Sequence, residues 1–96
     1  MFIVMLKYKK PVNQVDEVVA AHRAFLDEGY KKDYFLASGP LNPRNGGVIL
    51  TRALPRTTLD AVLQNDPFYR EGIADYEVIE FDPVKCTAGM AAALAK

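Results

Sequence analysis

The chain opens with a segment rich in β-formers, from Phe2 to Tyr8, which ends where two lysines and a proline follow. Such a run predicts a strand in the centre of a sheet. Alternate side chains of a strand point to opposite faces, and apolar residues occupy both: Phe2, Val4 and Leu6 on one, Ile3 and Met5 on the other. We therefore expect both faces of this strand to be covered.

The next segment has the periodicity of a helix. Asn13 is a candidate N-cap with Asp16 three residues later, and the helix is expected to run to about Glu28 and end at Gly29. Its apolar positions recur at the spacing i, i+3, i+4 and i+7, and they include Val15, Val18, Val19, His22, Phe25 and Leu26. The single histidine of the chain is therefore predicted to point inwards.

The remaining pattern predicts two strands, a second helix and a last strand. The strands span about 33–39 and 48–54, with prolines and a glycine pair between them, and the last strand spans about 76–81. The second helix begins near Thr57, with Asp60 three residues later, and ends before Asp66-Pro67, because a residue before proline disfavours the helical region. The order β-α-β-β-α-β predicts an α+β, ferredoxin-like fold, in which both helices cover one face of a four-stranded antiparallel sheet.

The second face of that sheet has no cover in a monomer. An exposed apolar sheet face is unusual in soluble proteins, so Ile3 and Met5 favour a homodimer that packs sheet against sheet. Residues 1–84 form a single predicted domain, and residues 85–96 form an alanine-rich tail that is either a terminal helix or frayed. A pocket would then lie between the sheet and the helices of each protomer, where His22 points.

Composition excludes several partners and cofactors. Twelve basic and twelve acidic residues are mixed along the chain, which leaves no basic surface for nucleic acid or an anionic membrane. One cysteine and one histidine provide neither an internal disulfide nor, by themselves, a metal site, and no nucleotide-binding motif is present. The apolar start is too short for a secretory signal, and no segment is long enough to span a membrane. We therefore expect a cytoplasmic protein without a cofactor.

Three segments converge on the predicted pocket: the first helix with His22, the turn Ser38-Gly39-Pro40, and Asp66-Pro67-Phe68. A carboxylate beside an imidazole fixes its tautomer and stabilises the imidazolium, as a general base near neutral pH requires. We therefore pair His22 with Asp66 as candidate catalytic residues. The structural alternatives are a core histidine whose ring nitrogens bond to a backbone carbonyl or a hydroxyl, and an aspartate that bonds its own backbone after a helix.

Other residues of these segments are candidate contacts for a small-molecule substrate. Ser38 can hold a substrate oxygen, and Gly39 lets a ligand approach the backbone, although with Pro40 they equally suit an ordinary turn. Tyr34 and Phe68 can form walls for a planar ring, but aromatic residues are equally expected in the core.

These segments together resemble the YCII-related (YciI-like) family of small proteins with a dimeric α/β-barrel fold. The likeness extends to about Val84 and rests on the order and spacing of the helix histidine, the Gly-Pro step and the Asp-Pro-aromatic step. It implies that His22 and Asp66 are the active-site pair, whereas alanine is common in the family at the position of Ser38. The family is similar to the muconolactone isomerase fold group, and it implies a cofactor-free dehydrochlorination of chlorinated aromatic hydroxyquinols.

Three functions follow as hypotheses. In the first, the protein is a lyase or isomerase in which His22 removes a proton from a small oxygenated ring compound and Asp66 orients the histidine. In the second, the same pocket binds a metabolite in a regulatory dimer without turnover. In the third, His22 is an axial ligand of haem, as in other proteins of this barrel type. Arg44 either meets an anionic substrate or lies solvated in its loop.

Overall fold

The computed structural model describes residues 1–95 and confirms the predicted α+β architecture. The elements in chain order are β1 (Phe2–Tyr8), α1 (Val12–Lys31), β2 (Phe35–Pro40), β3 (Gly46–Thr51), α2 (Arg56–Leu63), α3 (Pro67–Arg70), β4 (Ala74–Glu80) and α4 (Ala88–Leu94). The strands form one sheet in the order β2-β3-β1-β4, and every neighbouring pair is antiparallel. This is the ferredoxin-like arrangement, with the first strand in the interior of the sheet.

The two faces of β1 have different environments. Phe2, Val4 and Leu6 are buried in the core, which also contains Val15 of α1 and Leu59 of α2. Ile3 and Met5 point to the opposite face and remain partly exposed, next to partly exposed or exposed apolar residues of the neighbouring strands, Val48, Leu50 and Ile79. The helices therefore cover one face, and the other is an apolar surface, which we call the open sheet face.

Both predicted helix N-caps are wrong. The N-cap of α1 is Pro11 and that of α2 is Pro55, and neither makes a side-chain capping hydrogen bond. Asn13 and Thr57 lie inside the first turn of their helices. Proline fixes its own φ and restricts the residue before it, and this local constraint determines where each helix begins.

Gly29 does not end α1, which continues to Lys31. The residue is buried, and a Cβ placed on it would lie 2.1 Å from a ring carbon of Phe35. The glycine is therefore required by the close approach of β2, not by the end of the helix.

Asp66 and Pro67 begin a helix instead of ending one. α2 stops at Leu63, and Asp66 is the N-cap of the single-turn helix α3, with Pro67 in its first position. Proline suits this position because it has no N–H to leave unpaired, and aspartate is a favoured N-cap. The turn between α2 and α3 brings Asp66 beneath α1.

The predicted tail contains α4, where Arg52 donates a hydrogen bond to the carbonyl oxygen of Ala93. Lys96, the last residue of that tail, lies outside the described residues. Across residues 1–95, none of the helices has both the length and the apolar character needed to cross a membrane.

Candidate active site

Asp66 is the buried centre of the site. Its side chain is 0% exposed, and its Oδ1 accepts a hydrogen bond from the backbone N–H of Phe68 at 3.0 Å. This bond is the N-cap interaction of α3, so the backbone turn itself orients the carboxylate. A buried carboxylate needs several donors to offset the loss of hydration, and the other two come from side chains.

His22 supplies the second donor. Its Nδ1 lies 2.8 Å from Oδ1 of Asp66, and the imidazole side chain is 14% exposed. An ionised carboxylate only accepts hydrogen bonds, so the proton of this contact belongs to Nδ1. In the neutral ring Nε2 then carries the free electron pair. Nε2 forms no hydrogen bond within residues 1–95, and the residue itself lines the cleft described below.

Tyr76 of β4 supplies the third donor. Its hydroxyl donates to Oδ2 of Asp66 at 2.5 Å. Burial, followed by the negative charge of Asp66 and the hydrogen bond, raises the pKa of Tyr76, so the phenol keeps its proton. Both carboxylate oxygens are thereby fixed, and Oδ1 is held towards His22.

Phe68 contacts the face of the histidine ring. The two ring centroids are 3.9 Å apart and the planes differ by 4°. Asp66 therefore binds the edge of the imidazole while Phe68 packs against its face, and the ring has little freedom to rotate. The Asp-Pro-aromatic segment positions His22 through two of its three residues.

A cleft of about 440 Å³ opens beside the histidine, between the sheet and α1. Of the predicted site residues, the structure brings five to its wall: His22, Ser38, Gly39, Pro40 and Phe68. Asp66 lies behind His22 and does not line the cleft. The hydroxyl of Ser38 is already hydrogen-bonded to that of Tyr30, at 2.7 Å.

Tyr34 does not line this cleft, contrary to its predicted position as a wall. It precedes β2, about 13 Å along an extended chain from Ser38, and it faces a second groove between α1 and α2. That groove has a volume of about 400 Å³. Tyr34 lies before the start of β2 and Ser38 near its end, and this separation is the physical reason that they do not share a pocket.

Tyr76 is the site residue that the sequence analysis missed. The pairing of β4 with β1 indicates that Tyr76 faces the core, because Tyr76 lies opposite Leu6 and shares its side of the sheet. Placing its hydroxyl against Asp66 also requires the turn before α3, which the sequence pattern did not predict.

The cleft also has charged residues at its wall. Asp16 and Arg23 come from α1, and Arg44 comes from the loop between β2 and β3. Arg44 Nη2 lies 2.7 Å from Oδ1 of Asp16, and this hydrogen bond is the main reason that the pKa of Arg44 is raised. The pair joins the loop to the helix at the cleft.

The arrangement can move a proton without another group. A neutral imidazole with Nδ1–H bonded to a buried carboxylate accepts a proton at Nε2, and the carboxylate then stabilises the imidazolium. Within residues 1–95, no three histidine, cysteine, aspartate or glutamate side chains are grouped to hold a metal ion.

Comparisons with known proteins agree with this fold. A model of the YCII-related domain matches residues 1–82. The structure is similar to that of a 5-chloro-2-hydroxyhydroquinone dehydrochlorinase from Burkholderia phenoliruptrix in complex with 2,5-dihydroxybenzoquinone. The TM-score is 0.70 at 19% sequence identity, and the match covers 85% of this chain and 94% of that chain. No curated protein sequence matches the chain.

Proposed function

Because the chain belongs to the YCII-related family, we propose that it is a small cofactor-independent enzyme of the lyase or isomerase type. Its substrate is a small oxygenated ring compound, and His22 and Asp66 are its catalytic pair. The observation that carries this proposal is the 2.8 Å contact between His22 Nδ1 and Asp66 Oδ1, in a histidine that lines the cleft. The solved dehydrochlorinase of similar fold supports the reaction class.

In the proposed reaction, His22 Nε2 takes a proton from a carbon next to a carbonyl or from a phenolic hydroxyl. Where the carbon next to the deprotonated carbon bears a leaving group such as chloride, the electron pair of the broken C–H bond forms the new C=C double bond as chloride leaves with the electrons of the C–Cl bond. Removal of a phenolic proton gives the phenolate and breaks only the O–H bond. In either case the imidazolium then returns its proton to water. In an isomerisation, His22 gives the proton to another carbon of the same ring.

The residues at and behind the wall of the cleft have separate parts in this reaction. Phe68 and Asp66 hold the imidazole, and Gly39 with Pro40 leaves room for a planar ring against the end of β2. General acid-base catalysis of this kind contributes about 100- to 10,000-fold. Breakdown of oxygenated or chlorinated aromatic compounds is the process that such a reaction fits.

A panel of catechols, hydroquinols and their chlorinated forms, followed optically, tests the proposal. With the best substrate, His22→Ala and Asp66→Asn should each lower kcat/KM by two or more orders of magnitude, about 3 kcal/mol in the barrier. The double variant should lose little more than the worse single variant, because the two residues act as a unit.

Asp75→Asn is a matched control. Asp75 is also an aspartate with a basic partner, Lys9 at 3.4 Å, but it is 72% exposed and does not line the cleft. Its turnover should equal that of the wild type. If His22→Ala keeps wild-type turnover, the catalytic assignment is wrong. If the wild type binds these compounds but converts none, the pocket belongs to a metabolite-binding or regulatory protein.

We also propose that two copies pair through the open sheet face in the cytoplasm. The partly exposed side chains of Ile3 and Met5 support the pairing, and the single, unpaired Cys86 suits a reducing compartment. In this proposal residues 1–84 are the domain and residues 85–96 are a tail.

A further inference from the structure

More positively than negatively charged side chains line the cleft. Two arginines, Arg23 and Arg44, line it against a single carboxylate, that of Asp16. The charge of Asp66 lies behind the imidazole and is already shared by three donors. The accessible wall of the cleft is therefore positive, which favours a negatively charged ligand.

Arg44 has donors to spare. Its contact with Asp16 uses Nη2, and the hydroxyl of Tyr8 is a second partner, whereas a guanidinium has five N–H groups in a planar fork. The side chain is 39% exposed, so it is accessible to a ligand, and the bond to Asp16 restricts where the fork points. Such a restricted arginine binds the oxygens of a carboxylate or an enolate better than a mobile one, because less conformational freedom is lost.

Arg23 adds a second cation on the same face of α1 as Asp16, seven residues later. In the part of the chain that the structure describes, it forms no ion pair. His22 is its neighbour in sequence and also lines the cleft. The wall of the cleft that holds His22 therefore includes cationic groups from both α1 and the loop before β3.

We propose that the cleft selects organic anions, and that Arg44, positioned by Asp16, is the residue that recognises their negatively charged oxygen. This inference names the substrate class of the site described above and so rests on the proposed function. It also agrees with the proton transfer, because a substrate that gives its proton to His22 leaves negative charge on its oxygens. The arginines stabilise that charge in a partly enclosed cleft.

Two small probes of the same shape test the proposal: salicylate, which is an anion at neutral pH, and its neutral amide, salicylamide. Isothermal titration calorimetry with the full chain at low ionic strength gives the two Kd values. We expect the wild type to bind salicylate about five- to tenfold more tightly, as suits a charged hydrogen bond at a partly exposed arginine. Added salt should weaken the binding of salicylate more than that of salicylamide.

Arg44→Gln should bring the ratio of the two Kd values close to one, and Arg44→Lys should keep part of it because the charge remains. Arg56→Gln is the matched control, since Arg56 also pairs with an aspartate, Asp60 at 2.9 Å, but lies outside the cleft. It should leave the ratio unchanged. Circular dichroism confirms that each variant is folded.

His22→Gln separates this inference from the catalytic assignment, because it removes the proton acceptor but keeps a neutral side chain, with an amide N–H that can donate to Asp66, between that carboxylate and the cleft. The measurement is of binding alone, so this variant should keep the preference for salicylate even where turnover fails. A wild type that binds both probes equally, or binds neither, overturns the proposal. An Arg44→Gln variant with the wild-type ratio also overturns it, whatever the effect of His22→Gln on turnover.

Discussion

Tyr76→Phe removes a single oxygen atom from the site and should destabilise the protein measurably. In the described residues, the hydroxyl of Tyr76 is the donor to Oδ2 of Asp66, and that carboxylate is 0% exposed. A hydrogen bond to a charged group contributes about 1.5 to 3 kcal/mol, and an unpaired buried acceptor retains its full cost of desolvation. The ring and its packing are unchanged by the substitution, so this bond accounts for the expected loss of about 2 kcal/mol.

Urea denaturation at pH 7, followed by circular dichroism, measures the effect. The midpoint should fall without a change in slope, because the surface exposed on unfolding is the same. A loss of about 2 kcal/mol corresponds to a decrease in Tm of roughly 8 to 16 °C for a domain of this size. Because the free energy of unfolding of such domains is only about 5 to 15 kcal/mol, the change is easily resolved.

Tyr69→Phe is the control for removing a hydroxyl. The ring of Tyr69 packs edge-on against that of Tyr76 at 5.8 Å, but its side chain is exposed and its hydroxyl bonds to none of residues 1–95. Its free energy of unfolding should change by less than about 0.5 kcal/mol. Equal stabilities of the Tyr76 and Tyr69 variants would refute the argument that Tyr76 satisfies the buried carboxylate.

Three further results are expected. Gly29→Ala should destabilise the protein by about 1 to 3 kcal/mol in thermal denaturation, because the new methyl group overlaps the aromatic ring packed there, whereas Gly89→Ala, with nothing within 4 Å, should be neutral or stabilising. Met5→Lys on the open sheet face should lower the molar mass in sedimentation or prevent folding, whereas Val12→Lys, on a helix, should leave it unchanged; a stable Met5→Lys dimer would contradict pairing through this face. The pKa of Tyr76 is raised in the folded state, so the contribution of its protonated hydroxyl to the free energy of unfolding is complete below the unfolded pKa of about 10. Above that pH the contribution decreases by up to about 1.4 kcal/mol per pH unit. Urea titrations at alkaline pH should show this decrease in the wild type and not in Tyr76→Phe.

The periodic elements were predictable because their pattern follows from contact with the core. Leu6 and Met5 fall on opposite faces of β1 as the alternation requires, and the stripe of α1 that contains His22 faces the sheet. Strand and helix ends were less predictable, because they depend on contacts distant in sequence. Gly29 has the sequence signature of a helix end, yet the reason for it is a ring of the following strand.

The contact between His22 and Asp66 was within reach of the sequence, although its geometry was not. The pattern placed His22 on the inner stripe and Asp66 at a break after the second helix. The break turned out to begin a further helix, and only its three-dimensional path places the carboxylate between His22 and Tyr76. To predict this geometry, one must know both that Tyr76 of β4 points into the core and which way the backbone runs into α3. Neither follows from the local sequence pattern.

The segment from Asp66 to Phe68 is a short template for holding an imidazole. One aspartate oxygen starts a helical turn and also binds the ring nitrogen, while the aromatic residue two positions later lies flat against the ring. The same backbone turn thus sets the edge contact and the face contact, so neither can be moved without the other. For protein design, this means that one short helical turn can set both the direction of a buried carboxylate and the plane of the imidazole that it binds.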